Sequence, residues 1–362
     1  MSAVWHVYLP DLFDARCGVL PPLFGGAGTP GKQGVSELDF GPIGLAIGHA
    51  TDEEGGTGVT VVRHGELPWR GGVALVGRAS GTRELASLLP DHLVDRVDAV
   101  MLTGGSAYGL DAAAGVMQWM EERGRGFPIA GGVVPLVPAA VIFDLAPLGK
   151  FTARPTPEMA YRACAAASTK GFAEGSVGAG TGATVGKVVG LEGAMKGGVG
   201  CWMEQSGDVA VGAIAVVNAF GDVLDARGAV LAGTRGPDGR FLDSARLLAH
   251  SPPARLQERS LGNTTVAVVA TNAALSRTGI GQLARAAAAA LYRRISPAGT
   301  AFDGDIVFAL CPHQGVAAPQ LQVEALAVRV LEAAIERSVR LARGRDGVPG
   351  LADRPSTESA QH

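Results

Sequence analysis

Apolar and polar positions along the 362-residue chain fall into two rhythms. Short apolar runs bounded by glycine or acidic turns predict strands: IGLAIGHA and GTGVTVV around the turn TDEEGG, then DAVMLTGG, TTVAVVAT and GDIVFAL. VVPLVPAAVIFDLA is strand-like, with its prolines marking edges or bends. DVAVGAIAVVN and DVLD predict a hairpin turning at AFG. Runs with apolar residues three and four apart predict helices over SAYGLDAAAGVMQWMEERG, TPEMAYRACAAAST, SRTGIGQLARAAAAALYRRI and QVEALAVRVLEAAIERSVRLARG, the last ending at Gly344. Ser276 is placed to cap the third of these, and Ser106 to cap the first after a Gly turn. Residues 1–40 are irregular, and GSVGAGTGATVGK predicts a loop or a distorted strand.

VAVVA, AIAVV and DIVFA are apolar on both faces, so their sheet needs cover on both sides. With Ala-rich helices available, that favours layered α/β packing over a plain β-sandwich. Strands and helices do not strictly alternate, so a doubly wound sheet is not required. No interior linker is evident, which predicts one domain over residues 1–344. The polar, Gly- and Pro-rich end, 345–362, is expected to fray.

Composition removes several function classes. The net charge is −3, from 31 basic and 34 acidic residues, with no dense basic stripe, which argues against a nucleic-acid partner. Cys17, Cys164, Cys201 and Cys311 form no C-x-x-C pair and no Cys/His cluster, so no zinc site or disulfide scaffold is expected. The start lacks a basic-then-apolar leader, and no run reaches the ~18 apolar residues of a membrane span. The expectation is a soluble, cytoplasmic protein without metal or cofactor.

Some motifs fail. Before Gly186-Lys187 the first Walker A glycine position holds Thr181, and Val188 follows the lysine. Gly178 to Ala183 fits G-x-G-x-x-A but does not clearly follow a strand in a βαβ unit. GGSAYG places Gly109 one residue late for a nucleophile elbow.

LGNTTVAVVATN holds more chemistry. Thr264 stands at the tip of an apolar strand behind Gly262 and Asn263. A threonine hydroxyl becomes a useful nucleophile beside a base, and cutting the chain before it frees its own α-amine. Such an amine has a pKa of ~7.7–8.0, suited to proton transfer near neutral pH. Gly262 allows a strained approach to the Asn263–Thr264 bond. The same stretch also reads as a Gly-Asn turn entering a strand, with threonine chosen for β-propensity.

Six pieces tip this balance: IGHATDEEGGTGVTVV, SGTRE, LTGGSAYGLDAAAGVMQWMEERG, VGAGTGATVGK, GNTTVAVVATN and FDGDIVFAL. Through them, from about Leu45 to Leu341, the chain resembles the L-aminopeptidase/D-esterases and β-peptidyl aminopeptidases, a family that includes the 6-aminohexanoate-oligomer hydrolases. The resemblance implies an N-terminal-nucleophile hydrolase with a four-layer α/β/β/α sandwich. It implies self-cleavage between Asn263 and Thr264 into chains 1–263 and 264–362, which stay associated and form homo-oligomers. By position, Thr264 matches the nucleophile and Asn218 the residue whose side-chain amide helps form the oxyanion hole. Lys187 matches a lysine near the nucleophile, and Asp303 and Asp305 match paired polar residues that orient it. Spacing alone also allows Asn218 to be a turn residue, Lys187 a surface lysine and the two aspartates an acidic turn; alternation across Gly304 would let both carboxylates share one face. Threonine and Asp-Gly-Asp depart from the serine and Ser-x-Glu of the aminopeptidases and lie closer to the nylon-oligomer branch. Phe143 stands where some members carry an oxyanion-contacting tyrosine.

The implied activity is hydrolysis of short peptides or small amino amides through an acyl-enzyme. Other readings are a 6-aminohexanoate-oligomer-type endo-amidase, an acyltransferase like the ornithine acetyltransferases, and an unprocessed binding protein on the same scaffold.

Overall fold

Strands that are apolar on both faces do form the centre of the molecule. The computed structural model describes residues 36–145, 148–250 and 262–353. Expectations for residues 1–35, Cys17 among them, and for 354–362 lie outside the described residues.

β1 (Leu45–Asp52) and β2 (Thr57–His64) form the hairpin expected around the acidic turn. They join β4 (Thr82–Arg83), β5 (Ala99–Thr103) and β6 (Ala139–Val141) in a five-stranded sheet ordered β1-β2-β5-β6-β4. The second five-stranded sheet takes β3 (Arg70–Leu75), β7 (Gly198–Ser206), β8 (Val209–Asn218), β9 (Thr264–Thr271) and β10 (Ile306–Cys311), in the order β7-β8-β9-β10-β3. Within these two sheets β5/β6 and β9/β10 pair in parallel and the other neighbours antiparallel. Each parallel pair needs a crossover. α1 (Ala113–Glu121) supplies the first, and α3 (Arg277–Ala287) with α4 (Ala289–Arg294) the second.

Residue alternation sorts the strands into layers. Val59, Val61, Ala99 and Met101 pack beneath α1 and α2 (Pro157–Ala166), against Val116, Met120 and Met159. Val62, Val100 and Leu102 face Ile214, Val216, Val266, Val268 and Phe308 in the layer between the sheets. Val211, Ala213, Ala267 and Val269 lie beneath α3, α4 and α5 (Gln320–Arg340), against Ile280, Leu283, Leu291 and Val330. This is the four-layer α/β/β/α sandwich. Burial of each Val, Leu or Ile side chain contributes about 1.5–3 kcal/mol relative to exposure.

Several local expectations are corrected. DVLD does not fold back on β8. Asp222–Leu224 pairs instead with Val230–Ala232 and Ile295–Ser296, and the hairpin partner of β8 is β7. β3 and β7 give no clean strand signal because glycines interrupt them. The first predicted helix begins as a 3-10 segment, Ser106–Ala112, before α1. Ser106 is not its cap: its φ is 51° and its N–H donates to Ile142 O at 3.0 Å. Ser276 does cap α3, accepting from the Gly279 N–H at 3.0 Å. Within the stretch expected to fray, residues 345–353 fold back, with Pro349 O accepting from the Lys196 N–H at 2.8 Å. Among the described residues no helix is long and apolar enough to cross a membrane, and no group of three or more His, Cys, Asp or Glu side chains is placed to hold a metal ion.

α5 lies so close to β7 that a Cβ on Gly200 would sit 2.1 Å from Ala334 O and 2.3 Å from Ser338 N. A Cβ on Gly281, inside α3, would meet nothing within 4 Å. Gly200→Val should therefore lower unfolding free energy by ~1–3 kcal/mol or more. Gly281→Ala should raise it by ~0.4–1 kcal/mol, through lost freedom of the unfolded chain. Urea unfolding of both variants checks the two signs; a neutral Gly200→Val would contradict the packing described.

Candidate active site

The site is assembled by strand register. β8 and β9 run antiparallel with Asn218, the last residue of β8, opposite Thr264, the first of β9. β9 runs parallel to β10, and Asn263 bridges Asp303 just ahead of that ladder. Three segments distant in sequence thus meet at one end of the second sheet. By alternation Asn218 and Thr264 continue the faces of Val216 and Val266, which look into the layer between the sheets. Phe143, two residues past β6 of the first sheet, reaches the same place. All five candidate residues are buried.

Asn218 is fixed on every side. Its Oδ1 accepts from the Thr184 N–H at 3.0 Å and from Lys187 Nζ at 2.9 Å. Its Nδ2 donates to Phe143 O at 3.1 Å and to Gly262 O at 2.9 Å. With a third, longer acceptance from Thr184 Oγ at 3.4 Å, three acceptances at the oxygen and two donations from the nitrogen leave this amide one orientation. Lys187 Nζ also donates to Asn218 O and to Gly262 O, both at 3.2 Å. The glycine-dense segment therefore delivers Thr184 and Lys187 to the side chain opposite Thr264.

Thr264 Oγ donates to the carbonyl oxygen of Asn263 at 2.5 Å. That oxygen also accepts the Gly304 N–H at 2.9 Å. Gly262, just upstream, has a φ of 100°, and a Cβ there would lie 2.5 Å from the Phe143 ring. Both facts demand glycine at this position. Gly304 is equally constrained: a Cβ would fall 2.7 Å from Thr264 Oγ and 2.8 Å from Ala79 O.

The two aspartates divide their work. Asp305 accepts the Thr265 N–H at 2.6 Å through Oδ1 and the Gly299 N–H at 3.0 Å through Oδ2. It thereby grips the residue next to Thr264. Asp303 Oδ2 accepts the Thr300 N–H at 2.8 Å and closes the loop behind. Each carboxylate binds backbone N–H groups, and the two lie close enough to act on one another and on Lys187.

Burial sets the electrostatics. It pushes the Lys187 ammonium down to about 7, against the pull of Asp303 and Asp305 and with some help from Lys196. It pushes the Asp305 carboxyl up, and the neighbouring Asp303 adds to that, while the Thr265 and Gly299 N–H groups and Lys187 oppose it. Taking a charge out of water disfavours the charged form, hence the opposite signs for an ammonium and a carboxylate.

Other groups here had no signal in the sequence. Lys196 is fully buried, donates to Gly180 O at 3.2 Å, Ala183 O at 2.7 Å and Gly197 O at 3.1 Å, and is held at about 7 by burial. It ties down the backbone that carries Thr184. Asp144, beside Phe143, accepts Thr57 Oγ at 2.7 Å and the Gly105 N–H at 2.6 Å, and burial raises it to about 6. Nothing in the periodicity marks either residue. The Gly304 N–H and the Phe143 carbonyl are main-chain groups, on which residue type is silent.

With this geometry in view, similar proteins become informative. Residues 43–350 match the family model of peptidase family S58. An uncharacterized aminopeptidase of Mycobacterium tuberculosis is 44% identical over 323 residues, covering 82% of this chain and 89% of the relative. A 6-aminohexanoate-oligomer endohydrolase of Kocuria sp. is 32% identical over 313 residues, covering 80% of this chain and 81% of the relative. Among solved structures, a Burkholderia sp. beta-aminopeptidase superposes with a TM-score of 0.65 at 22% identity, over 90% of this chain and 93% of the other. The L-aminopeptidase D-Ala-esterase/amidase of Ochrobactrum anthropi, described as a variant of the Ntn-hydrolase fold, gives a TM-score of 0.63 at 19% identity, over 89% and 91%. The chain belongs to peptidase family S58 and is a hydrolase of peptide or amide bonds on the N-terminal-nucleophile-hydrolase fold.

Proposed function

We propose that this chain is a precursor that cuts itself between Asn263 and Thr264, and that the matured protein is a threonine-nucleophile aminopeptidase. The observation that carries the reading is the convergence of the Thr264 hydroxyl and the Gly304 N–H on the carbonyl oxygen of Asn263. Asn218 and Lys187 converge on the carbonyl one residue upstream.

In maturation, Thr264 Oγ attacks the Asn263 carbonyl carbon and the Asn263–Thr264 C–N bond breaks. The hydroxyl proton ends on the departing nitrogen of Thr264. Water then hydrolyses the ester, leaving a carboxylate on Asn263 and a free amine and hydroxyl on Thr264. In turnover, Thr264 Oγ attacks a substrate amide and its own amine takes the proton and passes it to the leaving group. Asn218 Nδ2 and Lys187 Nζ face the developing oxyanion, and water clears the acyl-enzyme. Asp305 holds the strand tip through Thr265, and Asp303 braces the loop behind it. Chains 1–263 and 264–362 remain associated and assemble as a cytoplasmic homo-oligomer.

Substrates in this reading are short peptides and small amino amides. A second reading, toward ω-amino amides, draws on the 32% identity to 6-aminohexanoate-oligomer endohydrolases. A panel of α-, β- and ω-amino anilides separates the two by kcat/KM.

Three outcomes follow. Intact-mass analysis of purified wild-type protein should find two chains divided at 263/264, and Thr264→Ala should remain one chain. Cleavage at 263/264 in that variant would refute the chemistry, and an uncut but fully active wild type would refute the precursor reading. Second, removing a donor from an oxyanion site typically costs ~10²–10³ in kcat, so Asn218→Ala should lose about that much. Lys187, at about 7, is a cation below that pH and neutral above it, so its help fades on the alkaline side. The Thr264 amine must be neutral, so activity also falls on the acid side. A bell-shaped kcat/KM profile is expected, with the alkaline limb flattened in Lys187→Met. An unchanged alkaline limb in that variant would remove Lys187 from the reaction.

A further inference from the structure

Two neighbouring carbonyls, those of Gly262 and Asn263, are served by two different sets of donors. The amide of Asn218 and the ammonium of Lys187 both point at Gly262 O, at 2.9 and 3.2 Å. Asn218 Nδ2 sends its other hydrogen to Phe143 O at 3.1 Å. The carbonyl that breaks in the proposed maturation belongs to Asn263, and the Gly304 N–H points at its oxygen from 2.9 Å. Asp303 and Asn263 are bridged in parallel, so the strand β10 and its leading loop aim this N–H.

We infer that self-cleavage and substrate turnover use different oxyanion donors: the main-chain N–H of Gly304 stabilises the oxyanion on Asn263, while Asn218 and Lys187 are held in reserve by the Gly262 carbonyl until the chain is cut. This inference rests on the proposed self-cleavage and assigns its missing electrophilic group.

The chemistry distinguishes the two hydrogens that reach Asn263 O. Thr264 Oγ donates to it in the resting chain but gives up that proton when it attacks. The Gly304 N–H keeps its proton throughout. As the Oγ–C bond forms, the carbonyl π electrons move onto oxygen, and this N–H faces the new charge. Collapse restores the carbonyl, expels the Thr264 nitrogen with the former hydroxyl proton, and leaves the Asn263 acyl group on Oγ. The N–H is neither consumed nor transferred.

The requirement for glycine fits the same role. Any side chain at 304 would approach Thr264 Oγ to 2.7 Å and crowd the nucleophile. Meanwhile Gly262 O occupies the place a substrate carbonyl oxygen would take before Asn218 and Lys187. The Gly262 carbonyl is thus a built-in plug for the turnover site, released when Asn263 becomes a chain end.

The test removes one hydrogen. Glycolic acid in place of Gly304, introduced by nonsense suppression in full-length protein, converts that amide to an ester with no N–H. The same replacement at Gly239, whose N–H bonds Gly236 O at 2.9 Å in a turn remote in sequence, controls for the ester itself. Denaturing gels should show cleavage at 263/264 slowed by ~10²-fold or more in the 304 ester and near wild-type in the 239 ester. Equal rates in the 304 ester and wild type would overturn the inference while leaving self-cleavage intact. A wild type that never cuts would overturn both. A readout independent of cleavage uses uncut Thr264→Ala protein with a carbon-13 label on the Asn263 carbonyl. Its isotope-edited infrared band should lie at the lowered frequency of a hydrogen-bonded carbonyl and move up in the 304 ester. A band that stays put on ester substitution contradicts the assignment, even where the ester impairs folding yield.

Discussion

The register of β8 against β9 is the constraint on which the rest depends. A side-chain period of two means that a slip of one residue would turn Thr264 away from the inter-sheet layer and out of line with Asn218. The register is held by eight residue pairs whose side chains alternate between two apolar layers. Moving Val216, Ile214, Val266 and Val268 out of their layer would unpack both sides of the sheet. The apolar strands therefore do more than build a core: they fix the position of a polar group at their tip to within bonding distance.

Where the ladder ends, buried polar groups take over. Asn218 fills its donors and acceptors with Thr184, Lys187, Phe143 and Gly262, and Asp305 fills its own with Thr265 and Gly299. Satisfied groups of this kind hold geometry rigidly, although the neighbouring Thr265 hydroxyl is buried without a hydrogen-bond partner among the described residues. The network's charges are poised rather than neutralised. Lys187 sits near neutrality because burial opposes the two carboxylates.

The sequence carried part of this openly. Runs apolar on both faces announced the covered sheets, and β1 with β2 and the Ser276 cap of α3 formed as read. AFG suggested a hairpin because turn signals are local, whereas the choice of β7 as the partner of β8 is a long-range matter of packing. β7 and β3 were hidden by the glycines that let α5 and α3 approach them. Ser106 looked like a cap from its neighbours, yet its backbone is spent on Ile142 and its φ is positive. At the site, Thr264 stood out from its place at a strand tip behind Gly262, whereas Asn218, Lys187, Asp303 and Asp305 were singled out by resemblance. Spacing allowed the aspartates an acidic turn or a shared face, and their carboxylates go to backbone N–H groups. The Gly304 N–H and the Gly262 and Phe143 carbonyls were invisible, because every residue has them and only the fold decides where they point.

The central claim is that the strand-tip hydroxyl of Thr264 is the atom that attacks. It is tested most directly by quenching matured protein in acid during turnover of an amino-acid ester and locating the acyl group by tandem mass spectrometry. The account predicts an added acyl mass on the peptide whose first residue is Thr264, and nowhere else. An acyl group on any other side chain, with Thr264 unmodified, would contradict it.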